Sequence, residues 1–398
     1  MAPSMHRLVN VVKPYAWGSR TQIAELLGLP SPSAGPEAEL WMGAHPASPS
    51  RIVEEGAEAR ALDSCVAHDP SGHLGDATLR AFGPKLPFLL KVLAAASPLS
   101  LQAHPNAAQA KAGFDRENAA GIALDAPTRS YKDASHKPEV LCALTPFWAL
   151  SGFRRAKDAA RVFRATGAPR LAPYADVLET KGDGDALREV FLGLFASDEK
   201  RAIAEEVTTG AAALAAAGFV DEAEWTSRLA REYPGDVGIA VALLLNLVKL
   251  SPGQALFLDA GNLHAYLEGT GIELMASSDN VLRGGLTVKH VDVDGLAEVL
   301  EFRPTEVPYA RRVATPDGAI VYRTTAAEFS LSRVEVDGAR SLAAATGPQI
   351  VLVTRGACDV RRGDEVAHVR RGESLYVRHG DGPLELLGDA TLFRATVP

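Results

Sequence analysis

Four side chains suited to holding a divalent cation fall in three separate stretches of the chain. In Ser100-Leu-Gln-Ala-His104, an extended backbone puts Ser100, Gln102 and His104 on one face and Leu99, Leu101 and Ala103 on the other. In His136-Lys-Pro-Glu139, Pro138 biases Lys137 to an extended conformation, and Glu139 opens the apolar run EVLCAL. In Asp259-Ala-Gly-Asn-Leu-His-Ala-Tyr266, a turn containing Gly261 precedes His264 and Tyr266, which share a face. Each stretch alone has a plainer reading: an edge strand, a solvated strand end, a structural histidine. Together, one Gln, two His and one Glu offer two nitrogens and two oxygens, a donor set for a borderline divalent cation. Without cysteine among the donors, such an ion would stay open to substrate oxygens rather than serve structure. A fourth stretch, Ser277 to Lys289, has polar residues clustered before Arg283 and a Gly pair after it. An arginine among small residues can fork onto a phosphate or an anionic intermediate, or simply sit in a surface loop.

These residues need strands to carry them. Residues 1–150 are rich in Pro and Gly with short apolar runs; Leu86 to Leu93, Leu99 to His104 and 139–144 read as strands. From 155 to 249 the period becomes helical. Asp158 to Ala165, Ala186 to Phe195, Asp198 to Ala217, Asp221 to Tyr233 and Val237 to Leu250 are the expected helices, with Asp221 and Glu224 at capping-box spacing. Strand texture returns from Gln254 to Pro398, interrupted by a helical turn at Leu296 to Glu301 and a linker at Pro304 to Pro308. Gly253-Gln-Ala-Leu-Phe-Leu-Asp-Ala-Gly261 resembles Gly372-Glu-Ser-Leu-Tyr-Val-Arg-His-Gly380, which suggests one supersecondary unit used twice. His264 follows the first copy at a position that Pro383 holds in the second. A β region broken by one helical block points to a β core with a helical insertion.

The 398 residues allow two or three domains. Lys and Arg number 41 against 49 Asp and Glu, a formal charge of −8, so neither nucleic acid nor an anionic membrane is an expected partner. Apolar residues at 47% supply ample core, which excludes disorder as the main state. Cys65, Cys142 and Cys358 form no CxxC, which argues against a disulfide framework and for a reducing cytoplasm. No secretory signal is recognisable at the N-terminus, and the most apolar stretch, Ile239 to Val248, is too short to span a bilayer. Phosphate-binding P-loop, dinucleotide GxGxxG, GxSxG and HExxH motifs are absent, and the Arg361-Arg362 and Arg370-Arg371 pairs read as a solvated strand edge.

The motifs, taken jointly, resemble the type I mannose-6-phosphate isomerases. The matching segments are YAWGS at 15–19, ELWMGAHP at 39–46, LPFLLKVL at 86–93, LSLQAHPN at 99–106, YKDASHKPE at 131–139, AGNLHAYLEG at 260–269 and GIELMASSDNVLRGGLTVKH at 271–290. They run in the family's order, whereas the C-terminal 90 or so residues match only in texture. Ser135, Val288 and Ala44 stand where the family usually has Asn, Pro and Thr. The resemblance implies a mainly β fold of cupin-type jelly-roll barrels: a catalytic cupin at 1–154 with 250–325, a helical insertion domain at 155–249, and a C-terminal degenerate cupin at 326–398.

It also implies one Zn2+ per chain on Gln102, His104, Glu139 and His264. The reaction would interconvert mannose 6-phosphate and fructose 6-phosphate through an enediolate, feeding GDP-mannose synthesis in a cytoplasmic monomer. The family's catalytic Arg falls on Arg283. Lys137 is the candidate for ring opening and Glu273 for the C2 base, with Lys137 its rival. Trp17, Glu39, Lys91, Ser100, Tyr266, Asp279 and Lys289 are expected to bind substrate, with Lys91, Lys289 and Ser100 on the phosphate. Two other classes fit the scaffold: an Fe(II) oxygenase, for which a Gln ligand is a poor fit, and a non-catalytic sugar-phosphate sensor, which would have no need of Lys137, Glu273 and Arg283.

Overall fold

A computed structural model describes residues 3–53 and 58–398. Its framework is two ten-stranded sheets with helices packed around them. Strand Phe88–Ala95 explains much of the first sheet. Its sequence FLLKVLAA is buried throughout, so it reads as a continuous apolar run rather than an alternating one. It lies between Glu39–Gly43 and His264–Ala276, antiparallel to both. The last of these, 13 residues long, is the spine of the site. Its first half pairs with Phe147–Phe153 and its second with Phe88–Ala95 and Glu139–Ala143, so one strand carries site residues in both halves.

The second sheet holds Ser330–Leu342, Gln349–Arg362, Ser374–Val377 and Leu384–Thr396. It also takes in Met5–Val9 from the N-terminus and Arg311–Ala314 and Ile320–Arg323 from before residue 326. A shared core joins the sheets: Val140, Cys142 and Leu274 pack in one cluster with Tyr322, Phe329, Leu352 and Phe393. The Cys142 thiol donates to the Tyr322 hydroxyl oxygen at 3.0 Å. Among the described residues no helix is long and apolar enough to cross a membrane.

The helical block is Ala156–Thr166, Ala172–Thr180, Asp183–Ala196, Lys200–Thr209, Ala211–Ala216, Val220–Glu232 and Gly238–Ala242. Three expectations change here. Val237 to Leu250 is not one helix: Gly238–Ala242 is helical, and Leu245–Leu250 is a strand on Phe147–Phe153. Asn246 fixes that switch, its amide donating to the carbonyls of Ser151, Gly152, Phe153 and Thr305 at 3.0–3.3 Å. Asp198 to Ala217 divides at Gly210, where a Cβ would sit 2.2 Å from the Thr166 carbonyl oxygen. Asp221 caps nothing, because the helix already starts at Val220 with no side-chain cap. The capping box that does form is Asn106 with Gln109, at the start of the unexpected helix Ala107–Ala119.

This block supports the site from behind. Leu101, Ala103, Leu282 and Leu286 share a buried cluster with Phe163, Leu187 and Phe191. The expected strand at Leu99 to His104 shrinks to Gln102–Ala103 because its neighbours bond to different partners. Leu99 N donates to Tyr266 O, and Leu101 N to Gly285 O. The alternation of faces survives from Ser100 onwards: Leu101 and Ala103 go into the core, Ser100 and Gln102 towards the pocket, whereas Leu99, expected on the core face, also lines the pocket.

Candidate metal centre and its pocket

His104, Glu139 and His264 offer three ligand atoms that all lie within 4.8 Å of one another, and all three residues are buried. They arrive from the three separate stretches. Gln102–Ala103 delivers His104, Glu139 opens the strand Glu139–Ala143, and His264 opens the long strand, paired with Gln102. Nε2 of His104 is 3.5 Å from Oε2 of Glu139, and Nε2 of His264 is 3.6 Å from the same oxygen.

The hydrogen bonds decide what these atoms are. Nδ1 of His104 is 2.7 Å from the carbonyl oxygen of Asn280, and Nδ1 of His264 is 3.1 Å from that of Asn262. A carbonyl only accepts, so each ring, when neutral, donates from Nδ1 and turns the lone pair of Nε2 towards Glu139. The His104 pKa is pushed down to about 4, by burial first and then by Lys137, so this ring is neutral near pH 7. Its Nε2 is buried with no hydrogen-bond partner. Two lone pairs and a carboxylate facing one point repel unless a cation lies between them. Tetrahedral bonds of about 2.0–2.2 Å separate ligand atoms by about 3.4 Å, close to the spacing found here. The residues therefore fit a metal.

Around this centre lies a cavity of about 590 Å³. Trp17, Glu39, Lys91, Ser100, Gln102, Lys137, Glu139, His264, Tyr266, Glu273, Asp279, Arg283 and Lys289 line it, so the structure gathers thirteen of the fourteen residues singled out from sequence. His104, the fourteenth, lies just behind the wall and reaches the centre through Nε2. Gln102 donates from Nε2 to Ser100 Oγ at 3.4 Å.

The charges divide into two groups. Lys91 lies between Glu273, with Nζ 3.0 Å from Oε2, and Glu39 at 3.6 Å, all three buried. Lys137 Nζ is 2.6 Å from Glu139 Oε1. Burial works to raise the Glu139 pKa, but Lys137 and His104 outweigh it and hold the carboxyl well below the usual carboxylate range. Glu273 moves the other way, raised by burial and by Glu139 and Glu39 against the pull of Lys91. Burial raises the Tyr266 phenol, helped by Glu273. Three buried carboxylates against two ammoniums leave this wall negative until a divalent cation arrives. Arg283 and Lys289 form the second group, and neither makes an ion pair within 4.0 Å with a described residue. Burial lowers the pKa of both, and Arg283 adds to the effect on Lys289.

Some site residues escaped the sequence reading. Tyr15 and Trp41 also line the cavity, and both lie inside motifs already marked. Trp41 Nε1 donates to Glu39 Oε2 at 2.7 Å. Glu232 and Tyr233 close one side from the end of a helix, and no local pattern announces them. Asn280 organises the Lys132–Ser135 turn. Its Oδ1 accepts from the amides of Lys132 and Asp133, while Nδ2 donates to the carbonyls of Asp133 and Ser135.

The internal repeat is one unit built twice. Ala255–Leu258 and Ser374–Val377 each begin two residues after a Gly with φ near +85°, and Leu258 pairs with Glu139 as Val377 pairs with Gln349. By the same register, Arg394 holds the place of Glu273 and Ser332 that of Lys91. The second copy has exchanged carboxylates for a Gln349–Arg394 hydrogen bond of 2.7 Å.

Comparison with known proteins gives consistent matches. Residues 5–156 match the family model "Phosphomannose isomerase type I, catalytic domain". The mannose-6-phosphate isomerase of Escherichia coli strain K12 is 38% identical over 396 residues, covering 98% of this chain and 99% of that protein. The Bos taurus enzyme of the same name is 34% identical over 421 residues, covering 97% and 96%. Among solved structures, a phosphomannose isomerase variant from Salmonella typhimurium superposes with a TM-score of 0.91 at 35% identity, covering 99% of this chain and all of that one. A zinc-bound mannose 6-phosphate isomerase gives a TM-score of 0.90 at 35% identity with the same coverage.

Proposed function

The chain belongs to the type I phosphomannose isomerase family, and on that premise we propose that it is a zinc-dependent enzyme interconverting mannose 6-phosphate and fructose 6-phosphate. The observation that carries the metal part is the pair of Nε2 lone pairs held towards one carboxylate oxygen at 3.5 and 3.6 Å. His104, Glu139 and His264 hold the ion, and the amide oxygen of Gln102 is the fourth donor. Zinc, when bound, supplies Lewis acidity that polarises the substrate's carbonyl and hydroxyl oxygens.

The chain's own groups do the rest. Isomerisation moves one proton from C2 to C1 and another from O2 to O1, so the C2 hydroxyl becomes the carbonyl and the C1 aldehyde a hydroxymethyl group, through an enediolate. Glu273 is the C2 base: its raised pKa brings a buried carboxylate nearer the basicity that proton abstraction needs. Lys137 opens the ring and is the alternative base. Arg283 is paired through its backbone with Gln102, which sets its fixed positive charge beside the metal donors, where the enediolate charge develops. Lys91 is committed to Glu273 and Glu39, so it tunes the base, and the phosphate falls to Lys289 at the exposed end of the cavity, with Ser100. Trp17, Tyr266 and Asp279 complete the wall that orients the sugar.

We propose a catalytic cupin unit at 1–154 and 250–325, a helical insertion at 155–249 and a cupin-like unit at 326–398, with Met5–Val9, Arg311–Ala314 and Ile320–Arg323 crossing into the sheet of the last unit and Leu245–Leu250 into that of the first. The changed donor set of the second repeat supports the last as a copy that has lost its metal residues. A cytoplasmic monomer feeding GDP-mannose synthesis completes this reading, and the buried thiols of Cys142 and Cys358 suit a reducing compartment. A coupled assay for fructose 6-phosphate formed from mannose 6-phosphate, with and without chelator, tests it. Activity lost to chelator and restored by zinc is expected. A metal-independent rate or no turnover would overturn it, the second in favour of a sugar-phosphate sensor; oxygen uptake with Fe(II) would point to an oxygenase.

A further inference from the structure

The segment from Arg283 to Lys289 carries both unpaired cations of the pocket, and its conformation is held from outside the pocket. Leu286 adopts a left-handed backbone, φ +54°, and is the one non-glycine residue with positive φ among those described. A leucine there is disfavoured because its Cβ crowds the following carbonyl. Two features hold it. Its side chain is fully buried in the core of the helical block. The next amide, Thr287 N, donates to Asp236 Oδ2 at 2.9 Å, while Asp236 Oδ1 accepts from Gly238 N at 2.7 Å. The backbones meet closely here: a Cβ on Gly285 would lie 2.8 Å from Gly238 Cα, and one on Gly238 would lie 2.6 Å from Leu286 N. Beyond Thr287 the chain is exposed, and Lys289 N donates back to Thr287 Oγ1 at 3.0 Å. Asp236 thus fixes the last anchored residue before Lys289.

We propose that Asp236, outside the pocket, is a positioning residue that acts through the Thr287 amide to hold Leu286–Lys289 where Lys289 receives the substrate's phosphate, while Arg283 keeps its place through its own backbone pairing with Gln102. The proposal rests on the isomerase reading above. It gives the helical block a part in recognition: the carboxylate between Val220–Glu232 and Gly238–Ala242 sets the geometry of the anion-binding end, while the metal donors sit on strands that Asp236 does not touch. Losing it should therefore loosen the grip on phosphate without disturbing metal or chemistry.

The test compares wild type, Asp236→Ala and Asp236→Asn in the coupled assay, with zinc content, thermal unfolding and inhibition by inorganic phosphate measured on each. Asp236→Asn keeps the shape but can accept only one of the two amides. For Asp236→Ala we expect KM for mannose 6-phosphate to rise about tenfold, the size of one lost charge-assisted hydrogen bond. Inhibition by phosphate should weaken in parallel, with kcat and zinc content close to wild type and Asp236→Asn in between. An unchanged KM and phosphate inhibition in a folded variant would overturn the proposal, as would a fall in kcat or zinc with KM unchanged. Should Asp236→Ala fail to fold, Asp236→Asn decides on the same criteria. An inactive wild type would instead sink the isomerase reading, a separate outcome.

Discussion

Lys91 and Glu273 are register partners on adjacent strands, and their Nζ and Oε2 meet at 3.0 Å where almost no water reaches. One residue sits in the middle of an otherwise apolar strand, the other in the second half of the strand that also begins with His264. The pairing therefore ties the proposed base to the metal centre through backbone geometry. It also makes either charge costly without the other, because a buried ion that loses its partner keeps its full desolvation cost.

Glu273→Ala should destabilise the fold by about 3–5 kcal/mol, since Lys91 is left with Glu39 alone at 3.6 Å. The triple change Lys91→Met, Glu273→Leu and Glu39→Gln, which leaves no buried ion of the group unpaired, should recover most of that loss in urea unfolding while remaining inactive. A triple variant no more stable than the single one would show that the buried ions are not the source of the cost.

Arg283→Ala should keep its metal and lose about 10²–10³ in kcat, the usual scale for removing one fixed charge from a developing anion. Steady-state kinetics with metal analysis checks this. A rise in KM at unchanged kcat would make Arg283 a phosphate clamp instead.

His73 sets an acid limb of stability. Its imidazole is buried beside Tyr376, with Nδ1 lacking a hydrogen-bond partner and a pKa pushed down to about 4 by burial and then by Arg378. An unfolded histidine titrates near about 6.5. Above that pH both states are neutral and the group contributes no slope. Between about 6.5 and 4 only the unfolded chain takes the proton, so stability falls as pH falls, and below that no further loss follows. The ceiling is about 3 kcal/mol, lowered by solvent screening. Urea unfolding of wild type and His73→Phe from pH 7 to 4 should show the variant with the shallower decline; parallel declines would clear His73 of the effect.

Metal should also stabilise the chain. With free zinc at about 100 times its dissociation constant, linkage adds about 2.7 kcal/mol, visible as a drop in Tm on adding chelator. Glu139→Ala should abolish that response, since it removes the oxygen both imidazoles face. A chelator shift of unchanged size in the variant would place the ion elsewhere.

The site was more legible in the sequence than the fold. Alternation along Ser100–His104 and the Pro138–Glu139 entry into an apolar strand are local, and the structure keeps both. What decided Leu245–Leu250 was not local: its apolar residues suit a helix, but Asn246 finds four carbonyls only once Phe147–Phe153 lies beside it. Glu232, Tyr233 and Asp236 carry no local signal for the same reason, since they matter through segments distant in sequence, as Asp236 does through Thr287. The family resemblance points Lys91 at the phosphate, but its partners Glu273 and Glu39 come from strands that only the sheet brings together.

Crystals grown with zinc and measured on both sides of the zinc absorption edge test the central claim most directly. A single anomalous peak within about 2.0–2.2 Å of His104 Nε2, His264 Nε2 and a Glu139 oxygen, with the Gln102 amide oxygen as the remaining protein ligand, is the expected result. A peak bound by other residues, or none there in crystals of active enzyme, would contradict it.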